Sequence, residues 1–142
     1  SIPTKEPLVS IGLILPIDKQ KYVKITSGNN LNYEIKAFEN QLLVNGEKSN
    51  QFKLQQSAKE SNLKIDPVIA GRGFHWQKQI AISIKGSINI KNIDGCLFLV
   101  NEVGMEDMKD DYEDMEKVPD LEDDLDNLKA KFDAMLKQMK RQ

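Results

Sequence analysis

Between Leu8 and Val100, β-branched and aromatic residues recur at every second position, in short runs that end at turn residues. The clearest run contains Ile80, Ile82 and Ile84, which alternate with smaller or polar residues and therefore share one face. A period of two residues is typical of half-buried β-strands. The pattern predicts a mainly β fold of short antiparallel strands over this part of the chain.

Two dipeptides mark where neighbouring strands reverse direction. Asn45-Gly46 and Asp94-Gly95 both follow apolar runs. Because these residue types tolerate positive φ at both central positions, each dipeptide favours a tight hairpin whose twist matches its strands. The apolar runs on either side of Asp94-Gly95 are therefore expected to be antiparallel neighbours.

The periodicity changes after Gly104. An acidic stretch with apolar residues at steps of three and four runs to Pro119, and a second stripe with strict four-three alternation follows Asp120. The members of this second stripe are Leu121, Leu125, Leu128, Phe132, Met135 and Met139. The pattern predicts a C-terminal α-helical segment. Its apolar stripe would either bind a protein partner or a second copy, or fold back onto the β core of the same chain.

These patterns divide the chain into three parts. Residues 1–104 are expected to form a β-rich domain, 105–119 an acidic linker or helix, and 120–142 an amphipathic heptad-patterned helix. Residues 1–100 contain 13 basic against 8 acidic residues, whereas residues 101–142 contain 7 against 14, so the net charges are +5 and −7. The net charge of +5 on the first part would favour binding to an anionic polymer, but an excess of surface lysines on a β domain can also serve solubility alone.

Several classes of protein are excluded by residue counts. The single Cys96 excludes an intramolecular disulfide, and with His75 as the one histidine no metal site or cofactor is expected. No apolar run approaches the ~20 residues that span a bilayer, and the run 8–15 is too short to be a secretory signal. Nucleic acid is not an expected partner.

The central part of the chain resembles a known family. The run GFHWQKQIAISIKGSINIKNIDGCLFLVNEVGMED (73–107) is similar to the SpoIID/LytB domain, in which a Phe-His-Trp step precedes two strands and a Glu-Asp-Tyr-Leu-like element. VSIGLIL (9–15) and the Asn45-Gly46 region look similar to the start of that domain, so the resemblance covers roughly residues 8–107. Exported members bind and cut peptidoglycan glycan strands as lytic transglycosylases, and some relatives are described as amidase enhancers. The resemblance thus implies a role at the cell wall.

The resemblance ends abruptly after Asp107. Met108 stands where the family carries a tyrosine, and the following Ser-Glu-Met-like catalytic step has no counterpart. A lytic transglycosylase needs a carboxylic acid held protonated near the glycosidic oxygen. Glu102 and Glu106 lie close in sequence, but nothing around them indicates apolar burial, so no catalytic residue is assigned.

Three residues are the candidate binding residues: Arg72, His75 and Trp76. Arg72 lies in a Gly-Arg-Gly triplet that permits close backbone approach, and His75 and Trp76 could form a sugar-stacking surface. The competing interpretation is an ordinary loop with rings packed at the rim of the fold.

The sequence therefore predicts a non-enzymatic binding or scaffolding module resembling the N-terminal part of SpoIID/LytB proteins, associated with peptidoglycan at the cell envelope or outside the cell. One alternative is a fragment of a lytic transglycosylase that lacks its catalytic part. The other is an assembly subunit that uses the C-terminal helix as its interface.

Overall fold

A computed structural model of the protein describes residues 7–55 and 62–105, together with Phe132, Asp133, Met135 and Leu136. Its regular elements are ten β-strands and one 3-10 turn, Pro16–Asp18. The strands are β1 Leu8–Ile14, β2 Tyr22–Thr26, β3 Asn32–Phe38, β4 Gln41–Val44, β5 Glu47–Ser49, β6 Gln51–Gln55, β7 Leu63–Ala70, β8 Lys78–Ile84, β9 Ser87–Ile93 and β10 Cys96–Gly104.

The strands form two antiparallel sheets that pack face to face. One sheet has four strands in the order β1-β10-β9-β6, and the other has six in the order β5-β4-β3-β2-β7-β8. Strands of the two sheets contact each other where β1 faces β7 and where β4 faces β6 and β9. The chain changes sheet four times: between β1 and β2, between β5 and β6, between β6 and β7, and between β8 and β9. The described residues thus form a two-layered β-sandwich.

The core lies between the sheets and is built from the inward-facing residue of each alternating pair. Ile82 and Ile84 are buried and Ile80 packs beside them, so the isoleucine run faces the core as the sequence predicted. The buried hydrophobic residues are Val9, Ile11, Leu13, Ile14, Val23, Ile25, Ile35, Leu42, Leu63, Ile65, Val68, Ala70, Trp76, Ile82, Ile84, Ile88, Ile90, Cys96, Leu97, Leu99, Val103 and Leu136. Burying each large aliphatic side chain stabilises the fold by about 1.5–3 kcal/mol.

Both predicted hairpins are present. Val44 pairs with Glu47 across Asn45-Gly46, and Ile93 pairs with Cys96 across Asp94-Gly95. All four turn residues have positive φ, between 50° and 85°. This confirms the tight turns that the two dipeptides predict.

One buried amide fixes the passage from β8 to β9. Asn101 of β10 is fully buried, and its Nδ2 donates to the carbonyl oxygens of Lys85, at 3.0 Å, and Ser87, at 2.9 Å. Gly86, between these two acceptors, has φ +88°, and a Cβ there would overlap the carbonyl oxygen of Glu102. The close approach of this turn to β10 therefore needs a glycine on one side and an amide donor on the other.

The fold-class prediction is wrong in one part, which is the C-terminal α-helical segment. The described residues are strand-rich, form two antiparallel sheets and contain no α-helix among their elements. A three-four periodicity expresses only a local preference for helix, which does not by itself establish an element of the fold. The predicted parts 105–119 and 120–142 lie outside the described residues, except for Met105 and the four residues named above.

Alanine at Gly86 should destabilise the fold more than alanine at Gly46. Both glycines have positive φ, which costs an L-residue about 1–2 kcal/mol, but a Cβ at Gly46 would meet nothing within 4 Å. In Gly86→Ala the added Cβ would also overlap the backbone of β10, which should lower the free energy of unfolding by about 1–3 kcal/mol more. Urea unfolding of the two variants measures the difference, and equal losses would contradict the close approach of this turn to β10.

Candidate functional site

The three predicted binding residues lie on one loop, residues 71–77, between β7 and β8. Two short turns fold this loop: the N–H of Phe74 donates to the carbonyl of Gly71 at 2.8 Å, and that of Gln77 to the carbonyl of Phe74 at 3.1 Å. The side-chain oxygen of Gln77 accepts from the N–H of Gly73 at 3.1 Å. The loop is therefore held by its own hydrogen bonds.

Trp76 anchors the loop to the core. It is 9% exposed and belongs to the hydrophobic cluster, and its ring stacks on that of Phe74 with a centroid distance of 5.6 Å and an interplanar angle of 3°. Gly71, with φ +71°, lies so close that a Cβ would overlap the six-membered ring of the indole. The indole therefore supports the loop from beneath, with Gly71 and Phe74 against it.

Arg72 is engaged in a salt bridge inside the fold. Its Nε lies 2.5 Å from Asp18 Oδ1 and its Nη2 lies 2.6 Å from Oδ2, a two-point contact. The Asp18 side chain is 3% exposed and also accepts from the N–H of Leu15 at 2.8 Å. The pair joins the loop to the β1–β2 connection, 54 residues away in sequence.

His75 is exposed, between a half-buried Phe74 and the buried Trp76. The structure thus brings the three predicted residues onto one loop but gives them different surroundings. Arg72 and Trp76 hold the loop on the fold, whereas His75 and the open part of the Phe74 ring face outward.

Cys96 and Glu102 lie at opposite ends of β10, one buried and one exposed. Cys96 is buried at the start of β10, and its Sγ lies 3.7 Å from Nζ of Lys21, which donates to the carbonyl of Gly95 at 2.5 Å. Glu102 is exposed on β10, so it lacks the apolar burial that a glycosidase acid requires. Glu106 lies outside the described residues.

A second candidate site, which sequence reasoning missed, is a groove on the outer face of the four-stranded sheet. Its volume is about 580 Å³, within the range of about 300–1,000 Å³ that is usual for small-ligand sites. Cross-strand pairing sets Lys53, Asn89 and Val100 in one row and Gln55, Ser87 and Glu102 in the next.

The sequence contains one signal for this groove: in β9, polar residues alternate with Ile88 and Ile90, which are buried. It indicates an outer face, but the pairing of β9 with β6 brings together segments about 35 residues apart. Local periodicity carries no information about that pairing.

The C-terminal stripe is described at two of its six positions. Phe132 and Met135 are half-buried, Met135 packs against the hydrophobic cluster, and the neighbouring Leu136 is buried within it. Sequence reasoning did not include Leu136 in the stripe. Leu121, Leu125, Leu128 and Met139 lie outside the described residues. At the described positions, then, this segment contacts the core of its own chain.

Within the described ranges, no helix is long and apolar enough to cross a membrane. No known protein family, curated protein or solved structure matches the chain.

Removing Arg72 should destabilise the fold, because the buried carboxylate of Asp18 would lose its two charged donors. We expect Arg72→Ala to lower the free energy of unfolding by about 1–3 kcal/mol, at the moderate end for such pairs because the arginine side chain is 32% exposed. In a double-mutant cycle by urea unfolding, Asp18→Asn should recover part of the loss.

The exposed Lys24 supplies the control for this cycle, and Lys24→Ala should change stability by less than about 0.5 kcal/mol. If Arg72→Ala changes the free energy of unfolding no more than Lys24→Ala does, the Arg72–Asp18 pair does not hold the loop.

Proposed function

We propose that this chain is a non-enzymatic binding module that attaches to peptidoglycan glycan strands at the cell envelope. The proposal joins the resemblance to SpoIID/LytB domains with the positions that the resembling residues occupy in the fold.

The proposal rests on one observation. Among the residues that resemble SpoIID/LytB domains, those at the most constrained positions hold the fold together. Trp76 is buried beneath the loop, Gly86 permits the turn to approach β10, and Asn101 donates to both carbonyls flanking that glycine. A resemblance carried by such residues supports a shared β fold and makes no demand for catalysis. This is consistent with a resemblance that is limited to the non-catalytic part of the family.

The surface available for a glycan on the loop is formed by His75 and Phe74. Phe74 is half-buried and stacks on Trp76, so one side of a fixed aromatic ring is supported from beneath. A rigid aromatic surface next to a polar group suits a sugar ring, which has an apolar face and hydroxyls at its edge. His75 supplies the polar group, and the Arg72–Asp18 pair keeps the loop in place.

Co-sedimentation with purified peptidoglycan sacculi tests this proposal. The wild-type chain should sediment with sacculi, and combining His75→Ala with Phe74→Ser should weaken retention about tenfold, because the ring and the polar group are both lost. Leu31→Ala provides the matched control. Leu31 is 55% exposed in the β2–β3 turn, at the opposite end of the sandwich from the loop.

Two results would contradict the proposal. A folded wild-type chain that stays in solution with sacculi does not attach to the wall. Release of soluble glycan fragments by the purified chain would show that the module is an enzyme.

A further inference from the structure

The groove on the four-stranded sheet carries opposite charges at opposite corners. Lys53 lies at one end of its first row, on β6, and Glu102 at the far end of its second row, on β10. Both side chains are exposed, and neither makes an ion pair within the described residues. The groove therefore presents one unpaired cation and one unpaired anion.

Between these corners the groove offers hydrogen-bonding groups around an apolar floor. Val100 is half-buried at the floor, and Gln55, Ser87 and Asn89 surround it with two amides and a hydroxyl. Amides and hydroxyls both donate and accept, so they match the N–H and C=O groups of an extended peptide backbone.

Asn89 supplies an acceptor that lacks a donor. Its Oδ1 is shielded from water and accepts no hydrogen bond within the part of the chain that the structure describes. Three other shielded atoms share this state, Gln20 Oε1, Trp76 Nε1 and Asn101 Oδ1, but they belong to buried residues of the interior. Asn89 is the member of this group that lines the groove, so a rotation of its amide toward the groove would let Oδ1 accept from a ligand N–H and would remove an unfavourable feature.

The separation of the two charges sets the length of the ligand. Lys53 and Glu102 are two strand spacings apart across the sheet and two residues apart along it, so their backbones lie roughly 12 Å from each other. An extended chain advances about 3.3–3.6 Å per residue, so three or four residues cover this distance.

We propose that this groove binds a short extended peptide of three or four residues, with its terminal carboxylate near Lys53 and its terminal ammonium near Glu102. The site is distinct from loop 71–77, and the inference does not depend on attachment to wall glycan. A neutral glycan would leave both charges of the groove without partners, which is why a peptide fits better.

Titration of the ¹⁵N-labelled full chain with tetra-alanine, followed by NMR, tests the inference. Saturable shifts are expected at the backbone amides of Ser87, Asn89 and Val100. Tetra-alanine that is acetylated and amidated loses both charges and should bind about tenfold more weakly, as should dialanine, which is too short to contact both corners.

Variants of the groove identify the charges that matter. Lys53→Gln and Glu102→Gln should each weaken binding several-fold, whereas the exchange Lys53→Glu with Glu102→Lys should restore it, because a peptide can bind in the reverse direction. Lys24→Gln, on the outer face of the other sheet, is the matched control and should leave binding unchanged.

Absence of saturable shifts at millimolar tetra-alanine overturns the inference. Equal binding of the capped peptide, or no effect of either single variant, would also overturn it. Shifts of the same amides by a neutral chitin tetramer but not by tetra-alanine would assign the groove to glycan instead.

Discussion

The side-chain amide of Asn101 holds the chain at the point where it passes from the six-stranded sheet to the four-stranded sheet. Its two donated hydrogen bonds satisfy the carbonyls of Lys85 and Ser87, which flank the glycine at the corner. The donating amide is fully buried, and each hydrogen bond that it makes to the half-buried corner contributes about 0.5–1.5 kcal/mol to stability. The corner leads directly into Ser87 and Asn89 of β9, which line the outer groove.

Polar side chains hold other connections of the fold in the same way. The Asp18–Arg72 pair joins the β1–β2 connection to loop 71–77, and Nδ2 of Asn92 donates to the carbonyls of Glu39 and Gln41. This last contact joins the β3–β4 turn of one sheet to β9 of the other. Among the described residues, these polar side chains thus join segments that are distant in sequence, whereas the exposed side chains of loop 71–77 and of the outer face of the smaller sheet do not bridge the two sheets.

Local patterns in the sequence predicted the strands and the hairpins, because side-chain alternation and turn conformation depend on adjacent residues. The isoleucines of β8 face the core and Asn45-Gly46 forms its turn for these local reasons. Contacts between distant segments are not predictable in this way, so the sequence gives no sign that Arg72, a predicted binding residue, also pairs with Asp18. The groove was missed for the same reason, because β6 and β9 meet only in the folded sheet. The helical prediction relied on periodicity alone, without knowledge of what would cover the stripe.

Adjacent residues of β10 have opposite roles: Asn101 faces inward and holds the β8–β9 turn, and Glu102 faces outward in the groove. The most direct measurement is the free energy of unfolding, by urea, of Asn101→Ala and Glu102→Ala compared with the wild-type chain. Asn101→Ala should lose about 1–3 kcal/mol because two hydrogen bonds from a fully buried amide to the β8–β9 turn are removed, and Glu102→Ala should change stability by less than about 0.5 kcal/mol. If both variants lose the same amount, or if Asn101→Ala is neutral, the division between framework and ligand-facing residues is wrong.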